Sequence, residues 1–185
     1  MQALDLLLNR VSVGRLLAPA PDAAQRELMF RAALRAPDHG QLRPWRFLTV
    51  EGEARVRLGE LYAEALAADP ETRPEALDKA RAMPLRAPLV VVVIARLSEH
   101  PKVPQEEQVL SAGCAVHSLL LAAQALGFGG IWRTGDLAHH PHVLRGLGLA
   151  ANEKIVGFLY LGSFEGARRV PPALEPGDFV SAWQG

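Results

Sequence analysis

Hydrophobic and polar positions already divide this chain into elements. From residue 112 to 126 nearly every residue is apolar or small, so no polar stripe marks a solvent side, and a helix apolar all round is ordinarily buried. We read this stretch as a central helix. Interrupted by His117 and Gln124, the run falls short of the roughly 20 apolar residues a bilayer span requires. It ends in glycines, which stop a helix and start a loop or strand. A chain of 185 residues has difficulty enclosing such a helix alone, and a second copy sharing it would remove the difficulty. The pattern therefore favours a homodimer.

Elsewhere the periods alternate between helix and strand. Ala3, Leu4, Leu7 and Leu8 predict a short amphipathic helix over 2–9, ending near Asn9 and followed by the polar segment 10–15. Asp22 with Gln25 resembles a capping box, and Leu28, Met29, Ala32 and Ala33 give the buried stripe of a second helix that runs up to Ala36 and Pro37. Asp38, His39 and Gly40 are turn residues in a loop ending at Pro44, after which 45–50 reads as a strand. Leu58, Leu61, Tyr62, Ala65 and Leu66 make 53–68 an amphipathic helix. The charged, proline-punctuated stretch 69–88 is expected to be a surface excursion or lid with one short helix near 75–81. Residues 89–95, LVVVVIA, form a strand buried on both faces. A loop at 98–105, strands at 129–134 and 154–162 and a short helix at 140–147 complete the outline. The tail from 170 to 185 is rich in proline yet carries Leu174, Phe179, Val180 and Trp183. These need a surface, either on the same chain or on a partner to which the tail would be a dimer arm.

Length and composition fit one domain over 1–185, 49% hydrophobic and 22% charged. With 20 basic and 20 acidic residues the chain lacks the electrostatic footprint of a nucleic-acid binder. The single cysteine, Cys114, excludes an intrachain disulfide, agrees with a reducing compartment and reads as a small core residue. The opening MQALDLLLNR has no basic leader before an apolar region, and a cytoplasmic, non-membrane protein is expected.

Several chemical signatures are missing. The glycines at 127, 129 and 130 are followed by Trp132 where a dinucleotide fingerprint needs its third glycine, and no Walker A, H-E-x-x-H or G-x-S-x-G occurs. His139, His140 and His142 are the densest titratable cluster, but their spacing does not share one helical face; they read as a solvated helix entry, and no metal is expected. Three polar loops follow buried elements: Arg10, Val11 and Ser12; Arg35 with Asp38 and His39; Trp132, Arg133 and Thr134. Guanidinium forks and a hydroxyl suit a phosphate, while a flat aromatic beside exposed backbone N–H groups suits a planar ring. A phosphorylated planar cofactor such as flavin mononucleotide meets both demands, the other reading being scattered surface arginines.

The stretches LLLNRVSVGR, RAPDHGQLRPWRF, KARAMPLRAPLVVVV, SAGCAV, GFGGIWRTG and KIVGFLYLG together resemble the FMN-dependent nitroreductase family, and within it the short YdjA-like branch. The resemblance implies an α+β fold with a central mixed, largely antiparallel sheet between helices in three α/β/α layers, and a C-terminal arm exchanged in an obligate homodimer. It implies two FMN sites at the subunit interface. Arg10 and Ser12 would hold the phosphate and ribityl chain, with Val11 lending its backbone; Arg35 and His39 would reach the same flavin from the other subunit. Trp132, Arg133 and Thr134 would lie along the isoalloxazine, the Thr134 N–H toward flavin N5. In similar sequences Ala122, Ala123, Gln124, Ala125, Leu126 and Gly127 are assigned to the nicotinamide, although here they read first as core. Val11 departs from the Arg-Arg-Ser of close relatives, and Gly14 stands where a basic residue is frequent, which leaves the cation near flavin N1 to Arg15, Arg35 or Arg133. The implied activity passes hydride from NAD(P)H through FMN to nitroaromatic or quinone-like acceptors by ping-pong chemistry, with no catalytic side chain. The alternative is an FMN-binding, storage or sensing protein without turnover.

Overall fold

The computed structural model describes residues 2–185. Ten regular elements follow in chain order: α1 (Ala3–Leu8), α2 (Ala23–Ala33), β1 (Trp45–Glu51), α3 (Glu53–Ala67), α4 (Pro74–Ala82), β2 (Leu89–Arg96), α5 (Gln105–Ala125), β3 (Gly129–Arg133), α6 (Pro141–Gly146) and β4 (Glu153–Gly162). The strands form one sheet in the order β1-β2-β4-β3. All three pairings are antiparallel, so the sheet expected to be largely antiparallel is wholly so among the described residues.

Alternation along the two central strands builds the layers. Val90, Val92 and Ile94 with Phe158 and Tyr160 face α3, α4 and α6, whereas Leu89, Val91 and Val93 with Leu159 and Leu161 face α2 and α5. Both sides of the sheet are therefore covered, which is why 89–95 reads as a continuous apolar run. Each such side chain, fully buried, contributes roughly 1.5–3 kcal/mol. Between Val93 and Ile94 the β4 partner steps from Gly157 to Ile155, leaving Val156 as a bulge. The α2 capping box forms as expected, Asp22 accepting from the Gln25 N–H at 2.8 Å and Gln25 from the Asp22 N–H at 2.8 Å.

Four local expectations change. The segment 69–88 is not a lid: α4 docks on α3, Ala80 is fully buried, and a side chain at Gly59 would collide with the Arg81 carbonyl. Next, α5 begins at Gln105, inside the stretch expected to be a loop, because Gln108 turns inward and bonds to the Ser98 N–H (2.9 Å), the Ser98 carbonyl (2.9 Å) and the Val103 carbonyl (3.2 Å). By length and composition this 21-residue helix would pass for a membrane span, but here it is the helix that covers one face of the sheet. Thirdly, α5 is not enclosed all round. Leu110, Cys114, His117 and Ala125 form an exposed stripe, Leu110 at 68%, so Cys114 is a surface residue of the single chain and not a core one. Lastly, α1 buries no residue, and Leu4, Leu7 and Leu8 stay exposed. The tail likewise leaves Phe179 at 73% and Trp183 at 91%, so its apolar residues are not covered by their own chain.

Candidate functional site

After α1 the chain is stitched in turn to the end of α5, to the edge strand β3 and to the residue following β4. The Gln124 side-chain amide donates to the Asn9 carbonyl (3.3 Å), the Val13 N–H donates to the Gly130 carbonyl (3.0 Å), and Leu17 and Ser163 exchange two backbone bonds of 2.8 Å. The approach is close enough that a β-carbon at Gly129 would stand 2.8 Å from Leu16 and 3.1 Å from Val13. Held this way, Arg10, Val11 and Ser12 line a recess of about 190 Å³ whose other wall is Arg169, Val170, Pro171 and Pro172. No carboxylate lines it. Two arginines and a serine line it, residue types whose donors suit a phosphate. Arg168 fixes its neighbour, donating to the Phe128 carbonyl (3.2 Å) and lying 4.9 Å from the centre of the Phe164 ring. Sequence reasoning passed over Arg169; its signal was the Arg168-Arg169 pair before Val-Pro-Pro in the tail.

At the far end of β3 the side chains part to opposite faces of the sheet. Gly130 and Trp132 face α5: a β-carbon at Gly130 would meet Leu120 at 2.9 Å, and the indole comes within reach of Gly113, 3.8 Å from where that residue's β-carbon would stand. Trp132 Nε1 donates to the carbonyl of the bulged Val156 at 3.3 Å. Ile131 and Arg133 look the other way, into a cavity of about 350 Å³ shared with Thr134, Tyr62 on α3, Arg86 on the turn after α4, and Phe158 and Tyr160 on β4. Its floor is apolar, two guanidiniums stand on its wall and no carboxylate does. Tyr62 is 1% exposed and its hydroxyl has no hydrogen-bond partner. Burial pushes the Tyr62 phenol up. Burial also raises Tyr160, against the opposing pull of Arg133 and Arg86. Arg86 is a second residue that sequence reasoning passed over, because it enters from a turn remote from the loops that carried the signal.

Arg35 and His39 lie elsewhere on the chain. Asp38 accepts from the N–H groups of Leu42 (3.1 Å) and Arg43 (2.7 Å), holding a loop in which Gly40, Gln41 and Arg43 take φ of 75°, 53° and 50°. Left-handed backbone at the two non-glycine residues is costly, and the Asp38 carboxylate offsets it. His39 Nδ1 sits 2.7 Å from Glu107 on α5, beside Leu110 and Cys114 of the exposed stripe. Arg35 shares a shallow recess with Asp38, Arg43 and Trp45. Within one chain, then, Arg10–Ser12 form one group and Trp132–Thr134 another, and Arg35 and His39 line neither recess.

Residues 122–127 are the end of α5 and its stop. Phe128 N–H bonds to the Ala123 carbonyl (2.9 Å) and Gly127 N–H to the Gln124 carbonyl (3.1 Å), with Gly127 at φ +90°, the Schellman ending a glycine permits. Ala123 and Gln124 are buried, while Ala125 and Gly127 are exposed. Of the histidines, His140 accepts from the His142 N–H at the start of α6, and His142 pairs with Glu64 at 2.9 Å.

The model of the nitroreductase family matches residues 7–163. The chain is 49% identical over 164 residues, 88% of each chain, to the "Putative NAD(P)H nitroreductase YdjA" of Escherichia coli (strain K12). It is 39% identical over 183 residues, 98% of this chain and 99% of the other, to a Haemophilus influenzae protein named "Putative NAD(P)H nitroreductase". Among solved structures, a nitroreductase-like family protein from Bacillus cereus superposes with a TM-score of 0.85 at 23% identity, covering 100% of this chain and 97% of that one. A Bacteroides fragilis nitroreductase with bound FMN superposes with a TM-score of 0.73 at 24% identity, covering 97% of each. The order of elements, the four-stranded sheet with helices on both faces and the match over most of the length agree: this chain belongs to the nitroreductase family.

Proposed function

We propose that this protein is an NAD(P)H-dependent FMN oxidoreductase, a nitroreductase, acting as one domain over 1–185 in a cytoplasmic homodimer. The observation that carries the reading is the arrangement along β3. A recess of two arginines and a serine adjoins its start, and a cationic cavity with an apolar floor lies at its end. At roughly 3.4 Å per residue the five-residue antiparallel strand runs about 14 Å from its first residue to its last. This suits an elongated ligand with a phosphate at one end and a planar ring at the other, and FMN is such a ligand.

When bound, FMN supplies hydride acceptance and release at its ring. The protein's work is placement and charge. Arg10, Ser12 and Arg169 hold the phosphate, Val11 presents its backbone, and the backbone of Trp132 lies along the ring with Arg133 and Thr134, the Thr134 N–H toward its reactive edge. Arg169 restores the second guanidinium that Val11 does not provide. The stop of α5, Ala122–Gly127, borders the space left for the nicotinamide, and an oxidised nitroaromatic or quinone takes its place in the second half-reaction.

The dimer is supported by what one chain leaves uncovered: the α5 stripe, the leucines of α1, and Phe179 and Trp183 of the tail. Because His39 sits beside that stripe and Arg35 lines neither recess, both reach the flavin as contributions from the partner subunit.

The test is the purified protein itself. Chromatography of the chromophore released on denaturation should give FMN and not FAD, and anaerobic NADH or NADPH should bleach it, with reoxidation by a nitroaromatic or a quinone. Bound flavin that neither nicotinamide bleaches would assign the protein to flavin storage or sensing, and a colourless preparation that ignores added FMN would exclude the cofactor.

A further inference from the structure

We propose that Glu107 is a positioning residue for the flavin site: its carboxylate holds the His39 ring by Nδ1 and so makes Nε2 the atom that His39 offers to the flavin of the partner subunit. The assignment rests on the FMN reading above, in which His39 crosses the interface, and adds a residue of the same chain that the reading does not contain.

The geometry begins at the start of α5. Glu107 lies in the first turn of that helix, where the positive end of the helix dipole favours a carboxylate, so the group facing His39 is an anion and can only accept. Its backbone is well fixed: the Glu107 N–H donates to the Pro104 carbonyl at 3.1 Å, and the next residue, Gln108, is anchored by its bonds to Ser98 and Val103. His39 Nδ1 sits 2.7 Å from Glu107 Oε2, short enough for a charge-assisted hydrogen bond. An acceptor without a proton bonds only to a ring nitrogen that carries one. Nδ1 is therefore the protonated nitrogen, and Nε2, on the far side of the ring, makes no hydrogen bond among the described residues.

The other carboxylate in this recess does not compete. Asp38 has its two oxygens engaged by the N–H groups of Leu42 (3.1 Å) and Arg43 (2.7 Å), which leaves the ring to Glu107. In the single chain the pair is open to water, the His39 side chain at 56% and that of Glu107 at 45%, and a pair in that setting adds little to folding stability. What it supplies is direction. Leu110 and Cys114 of the uncovered α5 face border the same recess, so a second copy seated there would exclude water from the pair and strengthen it as the flavin site is completed.

The experiment is a double-mutant cycle on the full-length protein, comparing Glu107→Ala, Glu107→Gln, His39→Ala and the double variant Glu107→Ala with His39→Ala. FMN affinity and the imidazole nitrogen NMR spectrum are read. Glu107→Ala should weaken FMN about fivefold while its melting temperature stays close to wild type. In the His39→Ala background the same change should have no further effect, because the ring it positions is gone. Glu107→Gln, whose side-chain carbonyl still accepts from Nδ1–H, should recover wild-type affinity to within about twofold. At about pH 8, above the ordinary histidine range, Nδ1 of His39 should carry a proton in wild type and lose it in Glu107→Ala, with or without FMN. A wild-type ring with no proton on Nδ1 overturns the assignment. So does an equal loss of FMN affinity from Glu107→Ala with His39 present or absent, which would place the effect in assembly. A Glu107→Gln protein as weak as Glu107→Ala overturns it by making charge, not orientation, the operative property, and a His39→Ala protein that binds FMN as tightly as wild type removes the ring from the site. Failure of the FMN reading would show separately, as a wild type that binds no flavin while its nitrogen spectrum still responds to Glu107.

Discussion

The Trp132 indole occupies the space that a side chain on Gly157 would fill, its Nε1 hydrogen-bonded to the Val156 carbonyl at 3.3 Å. Gly157→Ala must therefore push the ring from its seat or shift β3 against β4. Overpacking of this kind costs about 1–3 kcal/mol. The expected outcome is a lower melting temperature, altered tryptophan emission and weaker FMN binding together, since Trp132 and Thr134 move with the strand end. A variant with wild-type emission and wild-type flavin affinity would contradict this seating.

The recess at the start of β3 predicts two equivalent losses. Arg10→Ala and Arg169→Ala should each weaken FMN by about 1.5–3 kcal/mol, the usual worth of a hydrogen bond to a charged group. Folding should survive in both, because the two side chains extend from loop and tail. Sharing one phosphate, they should couple, so the double variant departs from the sum of the singles. Fluorescence titration with FMN measures all three; an Arg169→Ala protein that binds normally removes the tail from the site.

Glu153 predicts a pH dependence. Hydrogen bonds from Arg46, at 2.9 and 2.7 Å, hold its carboxyl below the ordinary glutamate value against the opposite pull of burial, aided by the Ala150 N–H and by Arg96. A depressed folded pKa contributes stability that is complete above the ordinary glutamate range and is lost as pH falls through the folded value. The melting temperature of the wild type should thus fall on acidification beyond that range, and Glu153→Gln should be less stable at neutral pH by about 1–3 kcal/mol with a flatter acid limb. Parallel acid limbs in the two proteins would show that the pair carries no such linkage.

Assembly predicts a joint loss. Deleting residues 176–185 removes Phe179 and Trp183, both largely exposed on the single chain, and should weaken the dimer and lower flavin occupancy in step, because a ligand bound only by the assembled state stabilises that state. Leu110→Asp, which places a charge on the α5 stripe, should act in the same direction. Sedimentation alongside the flavin-to-protein absorbance ratio reads both quantities. A full-length monomer saturated with flavin would refute the shared site.

Much of the fold could be read directly from the order of residues, and the reason is local. The run at 89–95, the capping box of Asp22 with Gln25 and the heptad-like stripe from Leu58 to Leu66 each announce their structure within a few residues. The start of α5 did not, because Gln105, Glu106, Glu107 and Gln108 are polar and only the inward turn of Gln108 makes them part of a buried helix. Exposure of Cys114 was hidden for the converse reason: a small or apolar residue on an uncovered helix face looks the same in sequence as one in a core. The loops of Arg10 and Trp132 were conspicuous as polar breaks after apolar elements. Arg169 and Arg86, which complete the two recesses, arrive from 159 and 47 positions away in the chain from Arg10 and Arg133 respectively, and no spacing connects them.

Only Leu126, Gly127 and Phe128 separate α5 from β3. Inserting or deleting a single residue there would advance the strand by one step and exchange its faces, turning the Arg133 side chain toward α5 and the Trp132 indole away from it. Segments such as 69–73, between α3 and α4, have no such constraint and can change length over evolutionary time without moving a functional group. Across the nitroreductases most like this one, length variation should therefore gather in outer loops and vanish at this joint, making the link a fixed point by which more distant sequences can be aligned.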